Sequence, residues 1–232
     1  MARRYLIAPL PEGDRARLVG DLAHHLATVL RVEPGTELLL FDGNGQQRPA
    51  QVLACDRAAV EVALGPLHRS TPPRISLQLA FAPPKWSRAE WLFEHGTEVG
   101  VGSFQPLVTE RTRPQGDKLE RWQKLCVAAA GQCDRAFVPA VRPVRDLLHW
   151  LAQPGLPPQR FLAAVGSEPL QPLAAGDAVL LVGPEGGLSA AETAAVRAAG
   201  FLPRGLGAQV LRTETAALVG AALLLRDAGT AG

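Results

Sequence analysis

The segment that most constrains this chain is AVLLVGPEGGLSAAE, residues 178–192. It opens with apolar residues that read as a buried strand, then turns through Gly183-Pro184-Glu185-Gly186-Gly187. Ser189 and Glu192 have the spacing of a capping box, which starts a helix at about residue 190. In open α/β sheets ligands bind at the carboxyl ends of strands. A glycine pair there lets backbone N–H groups approach a ligand with no Cβ in the way. The turn is neither G-x-G-x-x-G nor G-x-x-x-x-G-K-[ST], which disfavours a dinucleotide or a triphosphate. Taken alone, the segment is equally well a ligand loop or a tight strand-to-helix turn.

The second half of the chain repeats this alternation. Strands are predicted at 75–81, 104–109, 136–141, 160–165, 178–183 and 204–207, and helices at 86–99, 117–132, 144–152, 190–199 and 214–226. The pattern predicts an α/β fold with a mostly parallel sheet and helices on its faces. HRSTPPR, residues 68–74, punctuates the chain with two prolines in a polar setting and marks a domain boundary. Domains are therefore expected at 1–70 and 74–232. The first shows strands at 4–8, 36–42, 47–55 and 58–64, with turn residues Glu33-Pro34-Gly35 and Asp42-Gly43-Asn44-Gly45. One helix, 22–31, is expected behind an Asp21 cap. Leu22, Leu26, Val29 and Leu30 fall on one of its faces, and His24, Thr28 and Arg31 on another. Short strands with one helix suggest a small β-barrel.

Composition narrows the function classes. With 232 residues, 47% hydrophobic and 20% charged, the bulk of the chain is not disordered. The apolar run Thr215 to Leu225 is about half of the ~20 residues a membrane helix needs. No signal-peptide pattern is visible, so a soluble, cytoplasmic protein without membrane association is expected. The cysteines (55, 126, 133) are odd in number and form no C-x-x-C pair, and the histidines show no H-x-x-x-H spacing. Reduced, mostly buried thiols and no metal site are expected. Net charge is +2, but residues 71–145 carry +4, which suits an anionic partner.

Further candidates follow from placement. LGAQVLRTETAALVGAALLL, 206–225, gathers Arg212, Thr213, Glu214 and Thr215 at a helix N-terminus, where dipole and free N–H groups favour anions. Thr213 is the expected cap, and the small residues of the helix permit close packing. Glu110 and Arg111 follow the strand at 104–109, and Lys85 follows the strand at 75–81, so all three should lie at the carboxyl edge. Glu98, near a helix end, should lie at the amino edge and serve as a structural hydrogen-bonding or salt-bridge group. The tryptophans (86, 91, 122, 150) fall on predicted helices and should pack in the core.

Together HHLATVLRVEPG (24–35), WLFEHGTEVGV (91–101), PLVTERT (106–112), ERWQKLCVAAAGQCDRAFVPAV (120–141), LVGPEGGLSAAE (181–192) and LGAQVLRTETA (206–216) resemble one family. This is the RsmE type of bacterial 16S rRNA (uracil-N3)-methyltransferase, in the SPOUT superfamily. The matches keep the family's order over nearly the whole chain. His95-Gly96, Thr112 and Cys133 depart from its usual lysine-alanine, serine and serine. The resemblance implies a PUA-like RNA-binding barrel, then an α/β methyltransferase domain with a deep trefoil knot. It also implies S-adenosylmethionine as cofactor, a homodimer, and 16S rRNA of the small ribosomal subunit as partner.

On that resemblance Gly183, Pro184, Glu185, Gly186 and Gly187, with Leu206, Gly207, Leu211, Arg212, Thr213 and Thr215, are expected to form the cofactor pocket. Arg212 is expected to stabilise negative charge on uracil, Glu110 to act as base, and Arg111 or Lys85 to hold phosphate. Arg3, Arg4, His24 and Arg31 are expected phosphate contacts. A ribose 2′-O-methyltransferase and a non-catalytic rRNA-binding assembly factor remain the alternatives.

Overall fold

The computed structural model describes residues 3–56, 58–83, 86–112 and 118–227. They form two compact units: Met1–Pro72 with Ala130–Val138, and Pro73–Ala129 with Pro139–Gly232.

The first unit is a mixed sheet with one short helical segment. β1 (Arg3–Leu6), β2 (Arg15–Val19), β3 (Glu37–Phe41), β4 (Gln46–Cys55) and β5 (Ala59–Leu64) take the order β1-β3-β4-β5-β2, and β6 (His68–Arg69) pairs with β4. Only the β1–β3 pair is parallel. Alternate residues face inward, as the two-residue period of a strand requires. Leu38, Leu40, Ala50, Val52, Val60, Val62 and Leu64 join Leu18, Ala23 and Leu26 in one core. The β3–β4 turn is fixed by Asp42, whose Oδ1 accepts from the N–H groups of Asn44 (2.7 Å) and Gln46 (3.0 Å). Gly45 has φ +96°, and a Cβ there would come within 2.4 Å of the Phe137 ring. Only glycine fits.

Three local expectations change in this unit. β2 carries no strand signal in RARLV, because its arginines interrupt the apolar alternation; as an edge strand it buries only Leu18. The helix α1 (Gly20–His24) begins two residues early: Val19 takes the cap position, and Asp21 lies in the first turn. It then widens into a π-helical turn, His25–Val29, closed by Leu30 N–H donating to the His25 carbonyl (3.0 Å). Arg31 lies beyond it with φ +50°. Arg31 is therefore not on the helical face with His24 and Thr28, whose side chains do meet at 3.4 Å.

The second unit is built on a parallel sheet. Its strands are β7 (Ile75–Phe81), β8 (Ser103–Val108), β9 (Ala140–Val141), β10 (Arg145–Asp146), β11 (Gln159–Ala163), β12 (Gly176–Val182) and β13 (Leu202–Arg204). The order is β10-β8-β7-β12-β11-β13 with β9 beside β8, and every pair is parallel. The helices are α2 (Trp86–Val99), α3 (Leu119–Gln132), α4 (Leu147–Leu151), α5 (Ala190–Ala198) and α6 (Thr213–Leu225). β7 and β12 pair along their whole lengths, Ile75 opposite Gly176 to Phe81 opposite Val182. Central parallel strands are covered on both faces. Ala80, Val179 and Leu181 pack with Leu147, Trp150, Val196 and Phe201. Phe93 stacks on Trp122 at 5.0 Å and meets Phe81 and Phe104 edge-on. α6 packs on β7, β12 and α2.

Here too the chain corrects some expectations. The strand expected at 136–141 shrinks to Ala140–Val141. The backbone of Ala136 and Val138 instead bonds to Gly45 and Gly43 within the first unit. Trp122 and Trp150 are buried, but Trp91 is 40% exposed. Cys126 is buried, whereas Cys55 and Cys133 are only partly so. No helix among the described residues is long and apolar enough to cross a membrane.

Candidate functional site

β12 delivers the glycine turn to the carboxyl edge of the sheet. The Gly187 N–H donates to the Pro184 carbonyl at 2.8 Å, closing a turn in which Gly187 takes φ +71°. A side chain at Gly187 would strain this backbone. Ser189 then caps α5 as the spacing predicts: its hydroxyl accepts from the Glu192 N–H (3.3 Å), and its own N–H donates to Glu192 Oε2 (2.8 Å).

The second signature arrives beside the first. Arg212, not Thr213, takes the cap position of α6, with an extended backbone and no capping side-chain bond. This frees Thr213 for another task. Its buried hydroxyl donates to the Gly183 carbonyl at 3.0 Å, fastening the start of α6 to the end of β12. The two turns line one cavity of about 470 Å³.

Gly183, Pro184, Glu185, Gly187, Leu206, Gly207, Leu211 and Thr213 all face this cavity; Gly186, Arg212 and Thr215 are not among its lining residues. Gly186 instead lies against Arg111, a Cβ there falling 3.5 Å from the Arg111 Cδ. A third wall went unnoticed in the sequence: Ala163, the last residue of β11, and Ala164, Val165 and Ser167 beyond it. The same carboxyl-edge rule, applied to β11, finds them. Thr193 and Arg197 of α5 and the exposed Val210 also line the cavity.

The loop after β8 meets the glycine turn at the same sheet edge. The Glu110 N–H donates to Glu192 Oε1 at 2.8 Å, and Arg111 Nη1 donates to the Gly186 carbonyl. The Glu110 carboxylate and Arg111 are exposed. On α2, Arg88 pairs with the buried Glu214 (3.6 Å) and reaches Glu185 at 4.0 Å, linking both signatures through one cation. Nothing in the sequence singled it out. Lys85 lies outside the described residues.

The expected phosphate contacts separate. Arg3 and Arg31 line one concave surface of the first unit, together with Glu33 and Glu37. His24 is exposed but not part of it. Arg4 has a different role. Its side chain is 7% exposed, and its guanidinium donates to the Asp134 and Arg135 carbonyls and to Gln47, while lying 5.2 Å from the Phe41 ring centre. Those bonds take Arg4 out of the phosphate set, because a buried guanidinium whose Nη1 and Nη2 donate to protein oxygens is not presented to RNA. On α2, Glu94, His95 and Glu98 bring ligand-type atoms within 4.8 Å of one another. His95 Nδ1 lies 3.4 Å from Glu98 Oε2, and the ring stands edge-on to Trp91.

Comparison with known proteins supplies the lineage. Residues 71–225 match the RNA methyltransferase domain family, and residues 18–64 match the RNA methyltransferase PUA domain. The ribosomal RNA small subunit methyltransferase E of Mycobacterium bovis is 34% identical over 94% of this chain and 89% of its own. That of Synechocystis is 32% identical over 94% and 76%. The crystal structure of ribosomal RNA small subunit methyltransferase E from Neisseria gonorrhoeae bound to S-adenosyl methionine superposes with a TM-score of 0.87. It is 26% identical and covers 97% of this chain and 98% of that one. A chain that carries both domains, and keeps both signature turns around one cavity, belongs to the ribosomal RNA small subunit methyltransferase E family.

Proposed function

We propose that this protein transfers a methyl group from S-adenosylmethionine to N3 of a uridine in 16S rRNA of the small ribosomal subunit. One observation carries the reading. Two turns far apart in the chain, at Pro184 and at Leu211, wall a single cavity and are tied by the Thr213–Gly183 bond.

The cavity suits the cofactor. Its volume falls within the roughly 300–1,000 Å³ range of small-molecule sites. A Cβ built on Gly207 would meet nothing within 4 Å, so the backbone there is open to a ligand. Leu206, Leu211 and Val182 offer apolar cover for rings, and the turn backbone offers polar groups. When bound, the cofactor supplies a methyl already activated on a sulfonium. The protein's part is alignment and charge.

Uridine N3 is on the pairing edge, so the base is read unpaired or flipped. Its N3–H is protonated at neutral pH and needs an acceptor. Glu110 is the assigned base. Arg212 is exposed, and its guanidinium neither caps α6 nor donates to another described residue, which supports its role opposite developing negative charge on the uracil oxygens. It cannot be the base, since a guanidinium stays protonated. Arg111 presents the loop while holding Gly186. Arg3 and Arg31 are assigned to the RNA backbone.

The family reading extends to architecture. A trefoil knot near the C-terminus is supported by the bonds that tie the 164–173 segment to Arg204, Gly205 and the end of α6, among them Leu173 N–H to the Leu224 carbonyl at 3.0 Å. A homodimer is supported by Leu218, Val219 and Leu223 of α6, which remain partly exposed on an almost wholly apolar helix. An rRNA substrate places the protein in the cytoplasm.

Methyl transfer to small subunits lacking the modification, followed by nucleoside mapping, tests the reading. N3-methyluridine is the expected product. A 2′-O-methyl product overturns the chemistry, and binding without transfer marks an assembly factor.

A further inference from the structure

The turn after β8 is closed on itself. The Thr112 N–H donates to the Thr109 carbonyl (3.0 Å), and the Thr112 hydroxyl accepts from the Thr109 N–H (2.7 Å). Its tip, Glu110 and Arg111, is then fastened to the segment after β12 by two bonds. One runs from the Glu110 N–H to Glu192 Oε1, and the other from Arg111 Nη1 to the Gly186 carbonyl. Glu192 is 5% exposed, and its other oxygen accepts the Ser189 N–H. One buried carboxylate thus accepts from two different loops, one oxygen to each.

A helix cap alone does not require this. Glutamine serves at that position of a capping box as well as glutamate, because one acceptor oxygen satisfies the N-cap N–H. Glutamine has a single acceptor oxygen, and its amide nitrogen only donates. At residue 192 it can answer one of the two N–H groups, and it turns a donor toward the other. Only a carboxylate fits both.

We propose that Glu192 is a positioning residue: it registers the substrate-side tip, Glu110 and Arg111, against the cofactor turn at Gly186. Its kinetic consequence rests on the methyl-transfer reading above; the docking itself does not. Displacing reactive groups by about 1 Å can cost on the order of a hundredfold in rate, so the register of these loops bears on turnover rather than on cofactor affinity.

The test compares the full-length parent with Glu192→Gln. Hydrogen exchange of the Glu110 amide is followed by NMR, with and without S-adenosylhomocysteine. In the parent this amide, although in an exposed turn, is expected to exchange slowly. A freely exchanging Glu110 amide in the parent overturns the proposal without any variant. In Glu192→Gln its protection is expected to fall by about tenfold or more, the weight of one hydrogen bond to a charged group. The amides at the start of α5 should stay protected. On small subunits kcat is expected to fall about tenfold or more, while affinity for S-adenosylmethionine by calorimetry stays within about twofold. Parent-like exchange and parent-like kcat would leave Glu192 a helix cap and nothing more. A parent that transfers no methyl fails the functional reading instead, and the exchange data still decide the docking.

Discussion

Arginines in this protein divide by what their guanidinium groups touch. Arg48 donates to the carbonyls of Pro11, Gly13 and Gly65, and Arg160 to those of Leu156, Pro157 and Ala199. Both act as internal braces for loops whose carbonyls have no strand partner, and Arg4 does the same. Arg212 is exposed and braces nothing among the described residues. Replacing it with alanine is expected to lower single-turnover methyl transfer by about a hundredfold, the usual weight of one preorganised donor opposite developing charge. Calorimetric affinity for S-adenosylmethionine should change less than about threefold. Equal rates for variant and parent would remove Arg212 from the mechanism. The sequence singles out Arg212 through its signature. It sets Arg4 beside the exposed arginines because residue type alone does not distinguish an exposed guanidinium from a buried one.

At the scale of elements, α6 owes its position to small residues. Its sequence suggests close approach to another helix, and α6 does pack on α2. The tightest approach, however, is to the sheet. A Cβ on Gly220 would come within 2.5 Å of Leu180 Cδ2 on β12 and 3.4 Å of Leu206. Gly220→Ala forces the fully buried Leu180 side chain or α6 to shift, an overpacking that costs about 1–3 kcal/mol. A thermal scan should show Tm lower by several degrees, since each kcal/mol shifts a chain of this size by roughly 2–4 °C. An unchanged Tm would mean that the helix relaxes freely. The strong elements were legible: β7, α2, β12 and α5 lie within a residue or two of where periodicity and the capping box place them. β2 was not, because an edge strand with one buried residue leaves no periodic trace. The widening of α1 into a π-turn was not either, because it depends on carbonyl choice rather than residue type.

For the molecule as a whole, charge is the property that reaches furthest. Net charge is only +2, with the positive excess in the middle of the chain. If RNA is held through its backbone, affinity for the small subunit must fall as salt rises, because each neutralised phosphate releases counterions. Titrations at several salt concentrations should give a log–log slope of about −0.7 per phosphate contact for single-stranded RNA. The paired change Arg3→Glu and Arg31→Glu should flatten it. A flat response in the parent would discredit backbone contacts altogether.

Local chemistry alone determined the strongly apolar strands such as β7 and β12, the glycine turn after β12, the capping box and the family signatures, since each depends on residues a few positions apart. Tertiary structure decided which turns share a cavity, that Thr213 binds Gly183 rather than capping its own helix, and that Glu192 serves two loops. The reason is parallel pairing in the sheet: β8 pairs with β7, and β7 with β12. Those ladders bring the ends of distant strands to one edge, and no short window of sequence contains both partners of the Glu110–Glu192 or the Thr213–Gly183 bond.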